Sequence, residues 1–263
     1  MTWIKTYPTL LKAYWARALE YRGQILIWIL SSVLPLIMML VWLTISDQGP
    51  VAGYTPTAFV SYYLMVTLIR RLTGVWIIWD MDSDIRKGTL SPQLLKPIHP
   101  IHHLFTRVIA SKPLQVILVG PPIALAAILL GARYDLSIPT VLLALAAIVG
   151  GLLIEFFAQA IIGTSAFWIT QATSLAEAWF LLRSILSGWI VPIDLFPPAI
   201  TSALMWLPFR YCLSFPIEIV MGRLSIEQIG IGLVIQYAWA VGFLVLFRRM
   251  WQRGLKHYGA VGA

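Results

Sequence analysis

The chain has 263 residues, of which 59% are hydrophobic and 11% charged, and its mean hydropathy is +0.83. That balance excludes a soluble globular domain and predicts an all-α integral membrane protein, because a bilayer core takes about 20 apolar residues per spanning helix. The net charge of +8 does not point to nucleic acid, since the basic residues are divided among three juxtamembrane segments and form no continuous phosphate-binding face.

Residues 1–23 are predicted to form a helix lying flat in the membrane interface. Leu11, Tyr14, Trp15 and Ala18 recur on one side, Lys12, Ala16, Arg17 and Glu20 on the other, and Pro8 suits a first turn. The apolar segment 24–46 follows, too long for a cleavable signal core and without a small-residue cleavage site. Further spans are predicted at 57–79, 113–132, 138–170, 176–196 and 226–247, making six transmembrane helices in a single domain over residues 1–263. The fourth exceeds a perpendicular crossing and must tilt, protrude, or break near Gly150-Gly151 or Gly163.

Lys and Arg near helix ends favour the cytoplasm. Lys5, Lys12, Arg17 and Arg22 precede the first span, Arg86, Lys87, Lys96, Arg107 and Lys112 lie between the second and third, and Arg248, Arg249, Arg253 and Lys256 follow the sixth. All of these fall on one side, whereas the other holds Arg133, Arg210 and Arg223. Both termini and the stretch 80–112 are therefore expected in the cytoplasm. The single cysteine, Cys212, cannot form an intrachain disulfide, and the absence of Asn excludes N-glycosylation and fits a bacterial origin.

Within that cytoplasmic stretch, Gly88 interrupts the extension of the second span, Ser91 can cap a short helix with Pro92 in its first turn, and Pro97 ends it. Leu90, Leu94 and Leu95 then form an apolar knob, either a docking element for another protein or a contact with the bilayer surface. Sharper chemistries fail on spacing. Asp80, Asp82 and Asp84 open like a calcium loop, but Ile85 stands where glycine is needed and Ser91 where glutamate is needed. The same aspartates lack the second acidic cluster that a diphosphate-metal site would need. His99, His102 and His103 have no nearby fourth ligand for zinc, and Pro100 is expected to disrupt a regular helix there. No nucleophile elbow supports covalent hydrolysis, so no catalytic, metal or cofactor site is expected.

A second broken region follows the fifth span. Pro192, Pro197, Pro198 and Pro208 prevent a continuous helix, yet the segment is too apolar for an ordinary loop. Broken backbone at membrane depth survives only where protein or a water cavity satisfies it, so Gly188 and these prolines are expected to form an outer gate or a structural cap. Charges also lie inside the apolar runs. Arg70 and Arg71 stand roughly 14 Å from Asp80 along a helix rising ~1.5 Å per residue, so they need a partner, a cavity or an acid such as Glu155, and Arg183 poses the same problem. These four line a translocation path, contact an anionic substrate, or form intramembrane ion pairs between helices or subunits.

Arg86-Lys87-Gly88-Thr89-Leu90, followed by Leu94-Leu95-Lys96-Pro97, resembles the loop after the second span of ABC-2-type permeases, the membrane subunits of ATP-driven exporters. With Asp84-Ile85 before it and Ile98-His99-Pro100 after, it is most similar to one bacterial branch of that family. A second match is Ser187-Gly188-Trp189-Ile190-Val191-Pro192 through Pro197-Pro198, followed by Leu207-Pro208-Phe209-Arg210-Tyr211. It is similar to the segment where the fifth span ends and the chain re-enters the membrane from outside, here over 197–225.

The resemblance implies a coupling helix carried by Asp84, Arg86, Lys87, Gly88, Thr89, Leu90, Leu94, Leu95 and Pro97 that docks on an ATPase subunit. It also implies a second permease, identical or a paralogue, in a bacterial inner membrane. The phosphate-cradling Gly-Lys-Ser/Thr loop is absent from this chain, so ATP and Mg are expected on the partner. The alternative is a stand-alone polytopic protein, either a secondary transporter or a lipid-modifying enzyme.

Overall fold

The computed structural model describes residues 3–20, 33–170 and 172–258, so residues 24–32 of the predicted first span lie outside the described residues. Every named element is helical, and an isolated bridge between Val51 and Tyr54 is the extended pairing among the described residues. Helix α1 covers Trp3–Glu20 and α2 covers Val33–Ser46. Pro8 lies inside α1, beyond the first turn expected for it, where its missing N–H removes one backbone bond close to the helix start. Helix α3, Pro56–Thr73, begins as its sequence dictates: the Thr55 hydroxyl accepts from the Ala58 N–H (3.3 Å) and Pro56 occupies the first turn.

The predicted second span is not continuous. It stops at Thr73, runs without helix through residues 74–77, and resumes as α4, Ile78–Arg86. Helix α5 is the four residues Ser91–Leu94. The third long segment starts earlier than its hydropathy suggests: α6 covers Pro100–Leu129, with Pro100 in the first turn and Pro113, Pro121 and Pro122 inside. Pro100 thus starts a helix, correcting the expected disruption.

Helix α7, Ile138–Thr164, passes through Gly150, Gly151 and Gly163 without breaking and ends in a 3-10 turn at Ser165–Phe167. Those glycines mark close approach. A Cβ would stand 2.6 Å from the Gln236 carboxamide at Gly150, 2.8 Å from the Tyr211 carbonyl at Gly151, and 2.8 Å from Met81 at Gly163. The fifth segment is shorter than predicted, because α8, Ala172–Leu186, gives way to irregular chain before a 3-10 turn at Ile193–Leu195. Three short helices follow, α9 (Pro198–Leu204), α10 (Pro208–Cys212) and α11 (Ser214–Val220), before α12, Ile226–His257. The N-terminus of α12 has a full capping box, Ser225 with Gln228.

Among the described residues, Pro100–Leu129, Ile138–Phe167 and Ile226–His257 are the helices both long and apolar enough to cross a membrane, with Val33–Ser46 a shorter apolar one. Helix α7 is the central element, packed against α12, α3, α4, α10 and α11. Two clusters anchor opposite parts of the bundle. One gathers Ile77, Met81, Ile85, Leu90, Phe156, Phe247 and Trp251 beneath the α4–α5 turn. The other gathers Tyr54, Phe59, Tyr62, Tyr63, Ile123, Leu213 and Ile217 beneath the segment that follows α8.

Candidate functional site

The α4–α5 turn is built around Asp84. Lys87 closes α4 by donating its N–H to the Ser83 carbonyl (2.9 Å), and Gly88 then takes φ +74, a left-handed conformation that disfavours a Cβ. The reversal brings the Leu90 N–H back to the Asp84 carbonyl (3.0 Å), while the Asp84 carboxylate accepts from Thr89 Oγ1 (2.6 Å) and Gln93 Nε2 (2.9 Å). Arg86 pairs with Asp82 (2.7 Å) and donates to the Ile169 carbonyl (2.8 Å), tying the turn to the connection between α7 and α8.

Leu90 is buried beside Met81, Ile85 and Trp251, so the predicted knob of three leucines reduces to Leu94 and Leu95, which are 36% and 88% exposed. Ser91 does not cap α5. Its hydroxyl lies 3.1 Å from that of Tyr258, fastening the turn to the end of α12. Lys87, Thr89, Lys96 and Pro97 are exposed around the leucine tip.

The histidines have structural partners. His99 Nδ1 accepts from the Ile101 N–H (3.2 Å) and caps α6; burial, helped by His102 and Arg248, lowers its pKa below the usual 6.5 and keeps the ring neutral for that role. His102 and His103 meet Tyr7 and Tyr14 of α1 at 2.5 and 3.4 Å. No cluster of metal-ligating side chains occurs among the described residues.

The gap between α3 and α4 is held from other helices. Gln159 on α7 donates Nε2 to the Val75 carbonyl (2.6 Å) and accepts the Ile77 N–H through Oε1 (3.2 Å). Lys112 on α6 donates to the Arg71 carbonyl (2.9 Å) and to that of Gly74. Backbone groups that leave a helix inside an apolar bundle need such partners. Nearby, the Arg183 guanidinium pairs with the fully buried Glu155 carboxylate, Nε to Oε1 at 2.9 Å and Nη1 to Oε2 at 3.2 Å. Arg70 lies with its guanidinium carbon 3.7 Å from the Trp189 ring centroid, and Arg71 is part-buried beside it.

The segment after α8 turns on Gly188, at φ +86, where a Cβ would collide with Ser214 and the Tyr62 hydroxyl. Its carbonyls are served by side chains. Tyr62 donates to Gly188 O (2.7 Å), Tyr63 to Ile190 O (2.7 Å) and Ser214 to Ser187 O (2.5 Å). The prolines sit where helices begin: Pro192 ahead of the 3-10 turn, Pro197 and Pro198 at the start of α9, Pro208 at the start of α10. Arg210 and Glu218 form a buried ion pair. Tyr54 donates to Asp194 (2.9 Å), with Arg223 stacked 3.7 Å above its ring; burial, with Tyr62 and Asp194 adding to it, holds the Tyr54 hydroxyl well above the usual phenol range, so it stays a donor.

A sequence profile described as ABC-2 family transporter protein matches residues 26–262. The chain belongs to the ABC-2 transporter family. A comparison with curated proteins finds no match. Membership makes this a membrane protein of the permease type, a subunit of an ABC transporter and not an enzyme, and it implies an ATPase partner.

Among the charges expected inside this ABC-2 permease, Glu155 and Arg183 meet directly, whereas Arg70 stacks on the Trp189 indole, which leaves its charge unneutralised. Sequence reasoning did not single out Gln159, Lys112, Tyr62, Tyr63 or Ser214. Gln159 carried one readable signal, a polar side chain four residues after Glu155 in an otherwise apolar helix, hence on the same face.

Proposed function

We propose that this chain is the membrane subunit of an ATP-driven exporter, in which the α4–α5 turn receives force from a separate ATPase that binds ATP and Mg. On this reading the chain crosses the bacterial inner membrane six times, with α2, α3–α4, α6, α7, α8 and α12 as spans and both termini in the cytoplasm. A second copy or a paralogue completes the path. Residues 187–223 then close the outer side, and Arg70, Arg71, Glu155 and Arg183 lie along or beside the route.

The observation that carries this reading is Leu95, 88% exposed at the tip of a turn whose every flank is tied down by Asp84, Arg86, Leu90 and Ser91. An open leucine on a rigid support in water is best explained by a partner that covers it. The pairing of Glu155 with Arg183 also argues against a secondary transporter, whose coupling acid must be able to take up and release an ion.

The test is co-purification of tagged permease from membranes expressing its cognate ATPase. Leu95→Glu is expected to abolish ATPase retention and export while the thermal midpoint of the purified permease stays within about 1 °C, since surface changes usually alter stability by less than ~0.5 kcal/mol. Unchanged retention and export in that variant would remove the coupling role.

A further inference from the structure

We infer that the face between α4 and α8 binds the anionic headgroup of an amphiphile entering sideways from the leaflet beside Asp80. Trp76, Trp79 and Phe180 form three near-parallel rings, with centroids 5.0, 5.2 and 5.6 Å apart and interplanar angles of 22°, 21° and 5°. Stacked rings also occur where Phe59 meets Trp42 and Tyr54, but that stack belongs to the buried cluster around Tyr62 and Tyr63. Trp79 remains 43% exposed, so this flat platform is presented outward.

One turn along α8 from Phe180 stands Arg183, and near it Arg70. Glu155 is in hydrogen-bond contact with Arg183, whereas no carboxylate among the described residues forms an ion pair with Arg70. Two guanidinium groups therefore face a single carboxylate, and an excess cation at this depth is stabilised by an incoming anion. Guanidinium geometry suits phosphate or carboxylate in particular.

Leu181, Leu182 and Ile185 of α8 are 63%, 47% and 42% exposed on the side of the helix away from Phe180 and Arg183, so the rings themselves are the apolar surface that an acyl chain meets. Cations inward and an exposed, flat aromatic step outward match an anionic lipid-like molecule better than a free ion. The ligand's role as cargo rests on the permease reading, but its binding does not, so an assay without an ATPase separates the two.

The experiment is a titration of intrinsic tryptophan fluorescence of the purified full chain in uncharged detergent. The probes are dioctanoyl phosphatidic acid, dioctanoyl phosphatidylcholine and inorganic phosphate. Phosphatidic acid is expected to bind at least about tenfold more tightly than phosphatidylcholine, with phosphate unable to displace it. Equal affinity for the two lipids overturns the anion site, and full displacement by phosphate overturns the amphiphile in favour of a free anion.

Arg70→Gln is expected to weaken phosphatidic acid binding about tenfold and Arg70→Lys to restore part of it. Trp79→Leu, at the exposed rim, removes much of the response without touching the buried ion pair, so the site stays testable if Arg70→Gln fails to fold. Disulfide-linked dimers of a Trp79→Cys variant in membranes would show a second copy on this face and overturn the proposal.

Discussion

Residues 187–223 and residues 82–97 are both short, proline-bearing interruptions between long helices, yet they dispose of their polar groups in opposite directions. In the first, side chains from α3 and α11 reach in to the carbonyls of Ser187, Gly188 and Ile190, and Arg210 meets Glu218 out of solvent. In the second, Asp84 collects the turn's own donors, Leu90 goes inward, and Leu95 is left facing out. The difference teaches where to look for a partner. Backbone carbonyls supplied from within the chain fix the first break into the fold, with Trp206 exposed (69%) on its rim, while the second carries its most exposed apolar side chain, Leu95 (88%), at the tip of the turn itself.

The comparison is broken most severely at Arg210. Arg210→Leu strands Glu218 in a buried site and is expected to destabilise the permease by about 3–5 kcal/mol, read as a lower thermal midpoint or loss of monodisperse protein in detergent. Next comes the pair of left-handed glycines. Gly188→Ala adds strain and a collision with Ser214 and Tyr62, together about 2–4 kcal/mol, whereas Gly88→Ala adds strain at an exposed turn, about 1–2 kcal/mol. The same thermal melts should separate the two variants, and equal losses would erase the contrast between the regions.

Tyr62→Phe tests a single bond. It leaves the Gly188 carbonyl without its donor at a fully buried position and should cost about 1–3 kcal/mol, measured by denaturant or thermal unfolding.

The smallest effect is expected at Asp135, whose N–H bonds the Val220 carbonyl at the edge of the first region (2.8 Å). Its carboxylate accepts from Thr140 Oγ1 (2.6 Å) and the Ser137 N–H (2.9 Å), and these bonds, that to Thr140 foremost, lower its pKa below the usual 3.8. A depressed folded-state pKa means stability that is fully present above 3.8 and is lost as the pH falls through the lower folded value. Thermal midpoints of the wild type and Asp135→Ala should therefore differ above pH 5 or so and converge in acid. A constant gap across that range would show that the carboxylate's charge is irrelevant.

Much of this was legible in the residues, and the part that was not has a common cause. Apolar length announced α6, α7 and α12, Gly88 announced the turn, and the prolines at 192, 197, 198 and 208 announced the irregular segment, because each is a local constraint on backbone or solvation. The break after Thr73 was hidden. Hydropathy continues through Val75, Trp76 and Ile77, and only Gln159 and Lys112, from distant helices, make an unwound backbone tolerable there. Leu90 read as exposed because its neighbours are polar, yet Trp251 at the other end of the chain covers it. The glycines of α7 read as weak points, whereas they admit Gln236, the Tyr211 carbonyl and Met81 to close contact. At the site, Glu155 and Arg183 were visible as misplaced charges, but their union depends on how α8 lies on α7.

The unwound residues 74–77 have a mechanical consequence. A continuous helix would carry any displacement of Arg86 rigidly up to Tyr62 and Tyr63. With the helical hydrogen bonds interrupted, a sideways tilt of α4 is absorbed as a change of angle at Gly74–Ile77, and α3 can hold its place against the Gly188 segment. The Arg86 end is tied instead to the Ile169 carbonyl, at the approach to α8 and the Arg183–Glu155 pair. Between the tip and the far end, the joint is held by two hydrogen bonds with Gln159 and two from Lys112.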